Sequence, residues 1–171
     1  MQKTFKTVAV GGTFDEFHKG HRILLFKAFE VGEQVLIGLC SDEFFNKLNK
    51  PHPAAPYEQR LEELEAFLRV HGFMERAKIV PLNDVYGVTL GTDSIDALIV
   101  SRETEPMGLA INEERKERGL YPLKIVVIDM VPSENHAPIS TTRIHHGEID
   151  REGHLLKRCC DMKNSSERIS E

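Results

Sequence analysis

The sequence predicts an α/β fold: a Rossmann-like, doubly wound sheet of about five parallel strands with helices on both faces. Three observations lead there. Short runs rich in Val, Ile and Leu alternate with stretches of helical periodicity along the chain. The runs are apolar nearly throughout, as strands covered on both faces are. The first run ends in Gly11-Gly12 just before a helical stretch, the junction where such sheets take up anions.

The first strand is read over residues 5–10, stopped by the two glycines. Residues 20–31 carry Ile23, Leu24, Leu25, Phe26 and Phe29 at helical spacing. Residues 34–40 form a buried strand, and Ser41-Asp42 then offers an N-cap to a short helix over 43–48. Three prolines make 49–56 a loop. Residues 57–71 are an amphipathic helix, with Leu61, Leu64, Phe67 and Leu68 inward and Glu58, Glu62, Glu63 and Glu65 outward. Gly72 fits its C-terminal cap. A third strand over 77–82, a loop over 83–91 and a fourth strand over 96–101 follow. Residues 108–118 are helical up to Gly119, residues 123–131 are a long fifth strand, and a last short helix starts at Ile139 or Ser140. One domain is expected over 1–160, with a polar tail over 161–171 that frays.

The 171 residues suit one domain with one sizeable core. Apolar residues at 40% and charged residues at 29% are those of a soluble globular chain. Lys and Arg total 22 against 27 Asp and Glu, and the net charge of −5 with no basic block argues against a general nucleic-acid binder. No apolar run reaches the ~18 residues of a membrane span, and no signal-peptide hydrophobic region is expected at the N-terminus. Three cysteines, two of them the adjacent Cys159 and Cys160, make no disulfide framework. A reducing cytoplasm is therefore expected.

The chemistry concentrates in Gly11-Gly12-Thr13-Phe14-Asp15, followed by His18-Lys19-Gly20-His21. This is neither the dinucleotide fingerprint nor a P-loop. Two imidazoles flank a glycine at a helix start, where they can face a nucleotide. As zinc ligands they lack third and fourth partners at matching spacing, so no metal ligand set is assigned. Ser140, Thr141 and Thr142 read as a phosphate site or as an ordinary N-cap cluster. Lys47, Lys50 and Arg60, each taken alone, read more readily as solvated charges than as ligands. Ser101 and Arg102 end the fourth strand, at the carboxyl edge where ligands bind. His145, His146 and His154 read as surface residues, with a pH-sensing or metal role as the alternative, and Cys159-Cys160 has no catalytic context.

The G-G-T-F-D run followed by H-x-G-H resembles the signature of the nucleotidyltransferase superfamily that includes cytidylyltransferases, pantetheine-phosphate adenylyltransferases and class I aminoacyl-tRNA synthetase cores. Ile139-Ser140-Thr141-Thr142-Arg143 is similar to its second motif. Ser101-Arg102-Glu103-Thr104, Gly108, Ile111-Asn112 and Gly119-Leu120 resemble the archaeal pantetheine-phosphate adenylyltransferases and the matching domain of eukaryotic CoA synthase. The resemblance spans residues 7–149. It implies transfer of AMP from ATP, with Mg²⁺, to 4′-phosphopantetheine, giving dephospho-coenzyme A and pyrophosphate without a covalent intermediate.

The same resemblance implies roles. Gly11, Gly12, Thr13 and Phe14 would sit on the nucleotide with Gly20, His21 on the α-phosphate and His18 on its neighbours. Ser101 and Arg102 would lie beside the nucleotide. Ser140, Thr141, Thr142 and Arg143 would hold the β- and γ-phosphates. Thr13 and Arg60 would face the acceptor phosphate, and Lys47 or Lys50 would neutralise either that phosphate or those of the nucleotide. A phosphate monoester with a second pKa of ~6 is already a nucleophile, which explains the lack of a catalytic triad. Rival readings are an FMN, NMN or glycerol-phosphate acceptor and a non-catalytic nucleotide-binding regulator. A monomer or small homo-oligomer is expected, without nucleic-acid or membrane partners.

Overall fold

Residues 2–91 and 94–156 are described by a computed structural model. The expected tail and Cys159-Cys160 lie outside these residues. The elements are β1 (Phe5–Gly12), α1 (Lys19–Val31), β2 (Gly32–Cys40), α2 (Asp42–Lys47), α3 (Tyr57–Val70), β3 (Ala77–Leu82), β4 (Ala97–Ser101), α4 (Glu105–Glu117), β5 (Lys124–Ile128) and α5 (Thr141–His145). The five strands form one sheet in the order β3-β2-β1-β4-β5, and every pairing is parallel. The order reverses between β1 and β4. The carboxyl ends of those two strands therefore flank a crevice, the switch point of an open α/β sheet.

Strand alternation divides the core into two layers. Val8 and Val10 of β1, with Ala97 and Ile99 of β4, join Leu25, Ala28 and Phe29 of α1 and Leu64, Phe67 and Leu68 of α3 on one face. Ala9, Leu98 and Val100 turn to the other face and meet Ile111 of α4 and Leu123. Each fully buried Leu, Ile or Phe contributes ~1.5–3 kcal/mol through lost apolar exposure. No helix among the described residues is long and apolar enough to cross a membrane.

Three departures from the periodicity reading stand out. Helix α4 begins at Glu105, three residues before the expected start, with Pro106 in its first turn. A proline there loses no hydrogen bond, because the first N–H groups of a helix have no partner inside it. Strand β5 stops at Ile128, and Asp129, Met130 and Val131 leave the ladder to line a cleft. The expected loop over 83–91 contains a 3-10 turn, Gly87–Leu90, set up by Asp84 Oδ1 accepting from the N–H groups of Tyr86 and Gly87 (2.9 and 2.7 Å). Gly72 follows α3 at φ +70°, a backbone state costly for other residues.

Asn112 and Arg115 prove to be structural. Asn112 exchanges two hydrogen bonds with the backbone of Leu123 (2.7 and 2.9 Å), fixing α4 to the start of β5. Buried Arg115 donates to the carbonyls of Tyr121 and Thr89.

Candidate active site

A cleft of about 370 Å³ runs along the carboxyl edge of the sheet. Gly11, Gly12, Thr13, His18 and His21 line its centre, at the β1–β4 crevice. One arm, toward β2 and β3, is lined by Phe44, Phe45, Leu48, Leu82 and Val85 and is apolar. The other arm reaches Ser101, Thr104, Met107, Ile128 and Met130. Ser140, Thr141 and Thr142 close the mouth together with Lys50 and His52.

His18 is the N-cap of α1. Its Nδ1 accepts the N–H of His21 (3.3 Å), and Nδ1 of His21 accepts the N–H of His18 (3.2 Å), a reciprocal capping box built from two imidazoles. The rings stack with centroids 3.6 Å apart and planes 17° from parallel. An Nδ1 that accepts a backbone N–H carries no proton, so the proton of each neutral ring sits on Nε2. Burial lowers the pKa of His18 to about 4, helped by Arg22 and Arg151. Burial also holds His21 well below the ordinary range, with His18 and Arg22 adding to it. At neutral pH the pair is uncharged and offers two Nε2–H donors beside the positive end of a 13-residue helix.

The turn carrying Thr13, Phe14 and Asp15 is held on several sides. Phe14 and Glu16 have φ of +52° and +55°, the left-handed region that is costly for side chains. Phe14 is buried and packs on His21, with ring centroids 5.3 Å apart. Asp15 is 2% exposed. Its Oδ1 accepts the N–H of Ala55 (3.1 Å), its Oδ2 lies 2.9 Å from His145 Nε2, and its carbonyl accepts from Thr141 Oγ1 (3.2 Å).

Several residues expected at the site sit elsewhere. Arg60, expected on the acceptor phosphate, is 1% exposed, and its guanidinium is already engaged. It donates to the carbonyls of Ala55 (2.7 Å), Thr13 (2.9 Å) and Cys40 (2.7 Å) and to Asp42 Oδ1 (2.8 Å). It therefore ties the ends of β1 and β2 to the proline loop. Arg143, expected on the β- and γ-phosphates, donates to Glu148, Ser133, Ala137, Pro138 and Asn135 and braces the loop before α5. Lys47 pairs with Glu43 on the exposed side of α2 (3.4 Å), whereas Lys50 lines the cleft. Arg102 pairs with Asp129 across the ends of β4 and β5 (2.8 Å) and stands outside the lining, although Ser101 lies within it. Phe14 supports the turn from below.

The hydroxyl cluster combines a helix cap with side chains that line the cleft. Ser140 Oγ caps α5 by accepting the N–H of Arg143 (3.2 Å). Thr142 Oγ1 lies 3.3 Å from His52 Nε2 and lines the cleft. The sequence reading gave Asp15 and His52 no role of their own and read His145 as a surface residue with a metal role as the alternative, and the fold brings the three together. The only signal for them was Asp15 within the G-G-T-F-D run.

Residues 9–147 match the family model described as cytidylyltransferase-like. The chain is 47% identical over 158 residues to the phosphopantetheine adenylyltransferase of Methanothermobacter thermautotrophicus, covering 92% of this chain and 94% of that protein. It is 46% identical to the phosphopantetheine adenylyltransferase of Pyrococcus abyssi, covering 90% and 98%. Among solved structures, a protein of unknown function from Archaeoglobus fulgidus superposes with a TM-score of 0.65 at 32% identity, over 78% of this chain and 99% of that one. A tyrosyl-tRNA synthetase from the same organism shares the fold at a TM-score of 0.59 and 13% identity, over 83% and 60%.

Proposed function

The chain belongs to the cytidylyltransferase-like family, among the phosphopantetheine adenylyltransferases, and from that premise we propose that it transfers the adenylyl group of ATP to 4′-phosphopantetheine. The products are dephospho-coenzyme A and pyrophosphate, a step of coenzyme A biosynthesis. The observation that carries the reading is the stacked His18–His21 pair, with two fixed Nε2–H donors at the β1–β4 switch point.

An oxygen of the acceptor phosphate attacks the α-phosphorus of ATP. The new P–O bond forms as the bond from the α-phosphorus to the β-bridging oxygen breaks, and pyrophosphate leaves with that electron pair. The nucleophile is already an anion, so no side chain has to remove a proton. The protein's task is to align two anions and to stabilise the charge on the crowded α-phosphate. His21 donates Nε2–H to an α-phosphate oxygen, and His18 does so to a neighbouring phosphate. Neutral donors suit this task, since they bind the transition state without giving up a proton. The backbone of Gly11 and Gly12 and the Thr13 side chain complete the cradle.

The apolar arm between α2 and β3 takes the pantetheine chain, and Lys50 stands near the acceptor phosphate. The arm between β4 and β5 takes the nucleoside, and the Ser140 and Thr142 hydroxyls meet the outer phosphates. ATP would bind together with Mg²⁺. Mg²⁺ prefers oxygen ligands and keeps several waters. Mg²⁺ bound with ATP would supply charge neutralisation to the phosphates, beside the Ser140 and Thr142 hydroxyls.

A pyrophosphate-release assay tests the substrate. ATP and CTP are each offered with phosphopantetheine, FMN, NMN and glycerol phosphate. Turnover is expected with ATP and phosphopantetheine. Turnover with FMN, NMN or glycerol phosphate in its place overturns the acceptor assignment. No turnover with any pair overturns the catalytic reading in favour of a nucleotide-binding regulator.

A further inference from the structure

We propose that Asp15, His52 and His145 form a binding site for a first-row divalent transition-metal ion of the Zn²⁺ and Co²⁺ class at the mouth of the cleft. The three residues come from the turn after β1, the proline loop and α5. Each turns one ligand atom to a common point, and these atoms lie within 4.8 Å of one another.

The supporting contacts are those of a ligand set. Asp15 Oδ2 and His145 Nε2 are 2.9 Å apart, a hydrogen bond in which the imidazole N–H donates to the carboxylate. A metal ion takes that proton's place. Asp15 Oδ1 is fixed by the N–H of Ala55 (3.1 Å), so the carboxylate cannot rotate away. His52 Nδ1 lies 3.2 Å from the carbonyl of Pro53. A carbonyl only accepts, so Nδ1 carries the proton and Nε2 keeps its lone pair, which the Thr142 hydroxyl (3.3 Å) occupies until an ion takes its place. An imidazole that gives its other N–H to a carbonyl is the usual orientation of a metal ligand. The His52 and His145 rings lie nearly parallel, 4.3 Å apart at 16°.

Two imidazoles and one carboxylate select for ion type. Nitrogen ligands favour Zn²⁺, Co²⁺ and Ni²⁺ over Mg²⁺ and Ca²⁺, which prefer oxygen. Three protein ligands leave coordination positions open, as at zinc sites that act on a bound oxygen ligand. Those positions face the cleft, because Asp15 and His52 line it beside Thr141 and Thr142. The ion would offer them to water or to a phosphate oxygen. It would also clamp three segments that are far apart in the chain.

The site stands apart from the adenylyl-transfer reading, and its test contains no nucleotide. The full-length apoprotein is titrated with Co²⁺ and followed by visible absorption, and Zn²⁺ is followed by equilibrium dialysis. One ion per chain is expected, with an absorption spectrum of imidazole-ligated Co²⁺ that excess Mg²⁺ does not remove. His52→Gln and His145→Gln should each weaken binding at least ~10-fold, the scale on which even outer-shell partners act. Both variants change partly exposed side chains, and circular dichroism checks their fold. His146→Gln and the Cys159→Ser/Cys160→Ser variant should bind as the parent does. Absence of binding overturns the site, as does unchanged affinity in His52→Gln and His145→Gln. Displacement of Co²⁺ by equimolar Mg²⁺, or loss of binding in the cysteine variant, overturns it as well.

Discussion

A β-carbon at Gly20 would stand 2.8 Å from Cε1 and 3.0 Å from Nδ1 of His18. The glycine between the two histidines therefore leaves the room in which the His18 ring folds back over the first turn of α1. Gly20→Ala favours the helix by intrinsic propensity but pushes the His18 ring off His21. The expected outcome is a kcat/KM lower by about 10²-fold, the cost of a ~1 Å misplacement, with a nearly unchanged melting temperature. Steady-state kinetics beside thermal unfolding reads both.

The two histidines carry different loads. His21→Ala removes the donor to the α-phosphate, and kcat should fall by at least ~10²-fold with the fold intact. His18 is also a cap. His18→Ala should cost about 1 kcal/mol of stability in addition to activity. His18→Asn should keep the cap and the stability but not the activity, because asparagine caps well and lacks the distal N–H. Equal stability of His18→Ala and the parent in denaturant would show that the cap contributes nothing.

Acid should destabilise the protein in a defined window. The folded-state pKa of His18 is about 4, below the 6.5 of the unfolded chain. As pH falls below 6.5, the unfolded chain takes up the proton first. Stability from this group is complete above pH 6.5 and is lost as pH falls to about 4, where folded His18 protonates too. The slope is ~1.4 kcal/mol per pH unit for one such histidine. His21, held down in the same direction, steepens it. Urea titrations across this range should show the slope in the parent and a shallower one in His18→Asn.

Arg60 should behave as a structural residue. Replacing it with Met leaves the carbonyls of Thr13, Cys40 and Ala55 without their donors. A loss of at least about 2 kcal/mol is expected, seen as a lower urea midpoint. A direct phosphate contact would instead raise the KM of the acceptor and leave the midpoint unchanged.

Much of the fold was legible because one pattern served both local and tertiary structure. The apolar runs that became β1, β2 and β4 are buried on both faces, and the His18–Gly20–His21 spacing fixed a helix start and a site together. Cationic roles were less legible. Sequence shows that Arg60, Arg143 and Lys47 are charged, but not whether a guanidinium meets a ligand or a ring of carbonyls. Burial and the carbonyls left over at strand ends decide that, and both arise only after folding. Asp15, His52 and His145 were hidden for the same reason. They lie on three separate loops and helices, and no spacing rule links them.

Pyrophosphate release from ATP, followed by rapid mixing with and without 4′-phosphopantetheine, tests the central claim most directly. Direct displacement in this site requires that pyrophosphate appear only when the acceptor is present, one-for-one with dephospho-coenzyme A. A burst of pyrophosphate from ATP alone, equal to the enzyme concentration, would contradict it, because it would mean that the adenylyl group first rests on the protein.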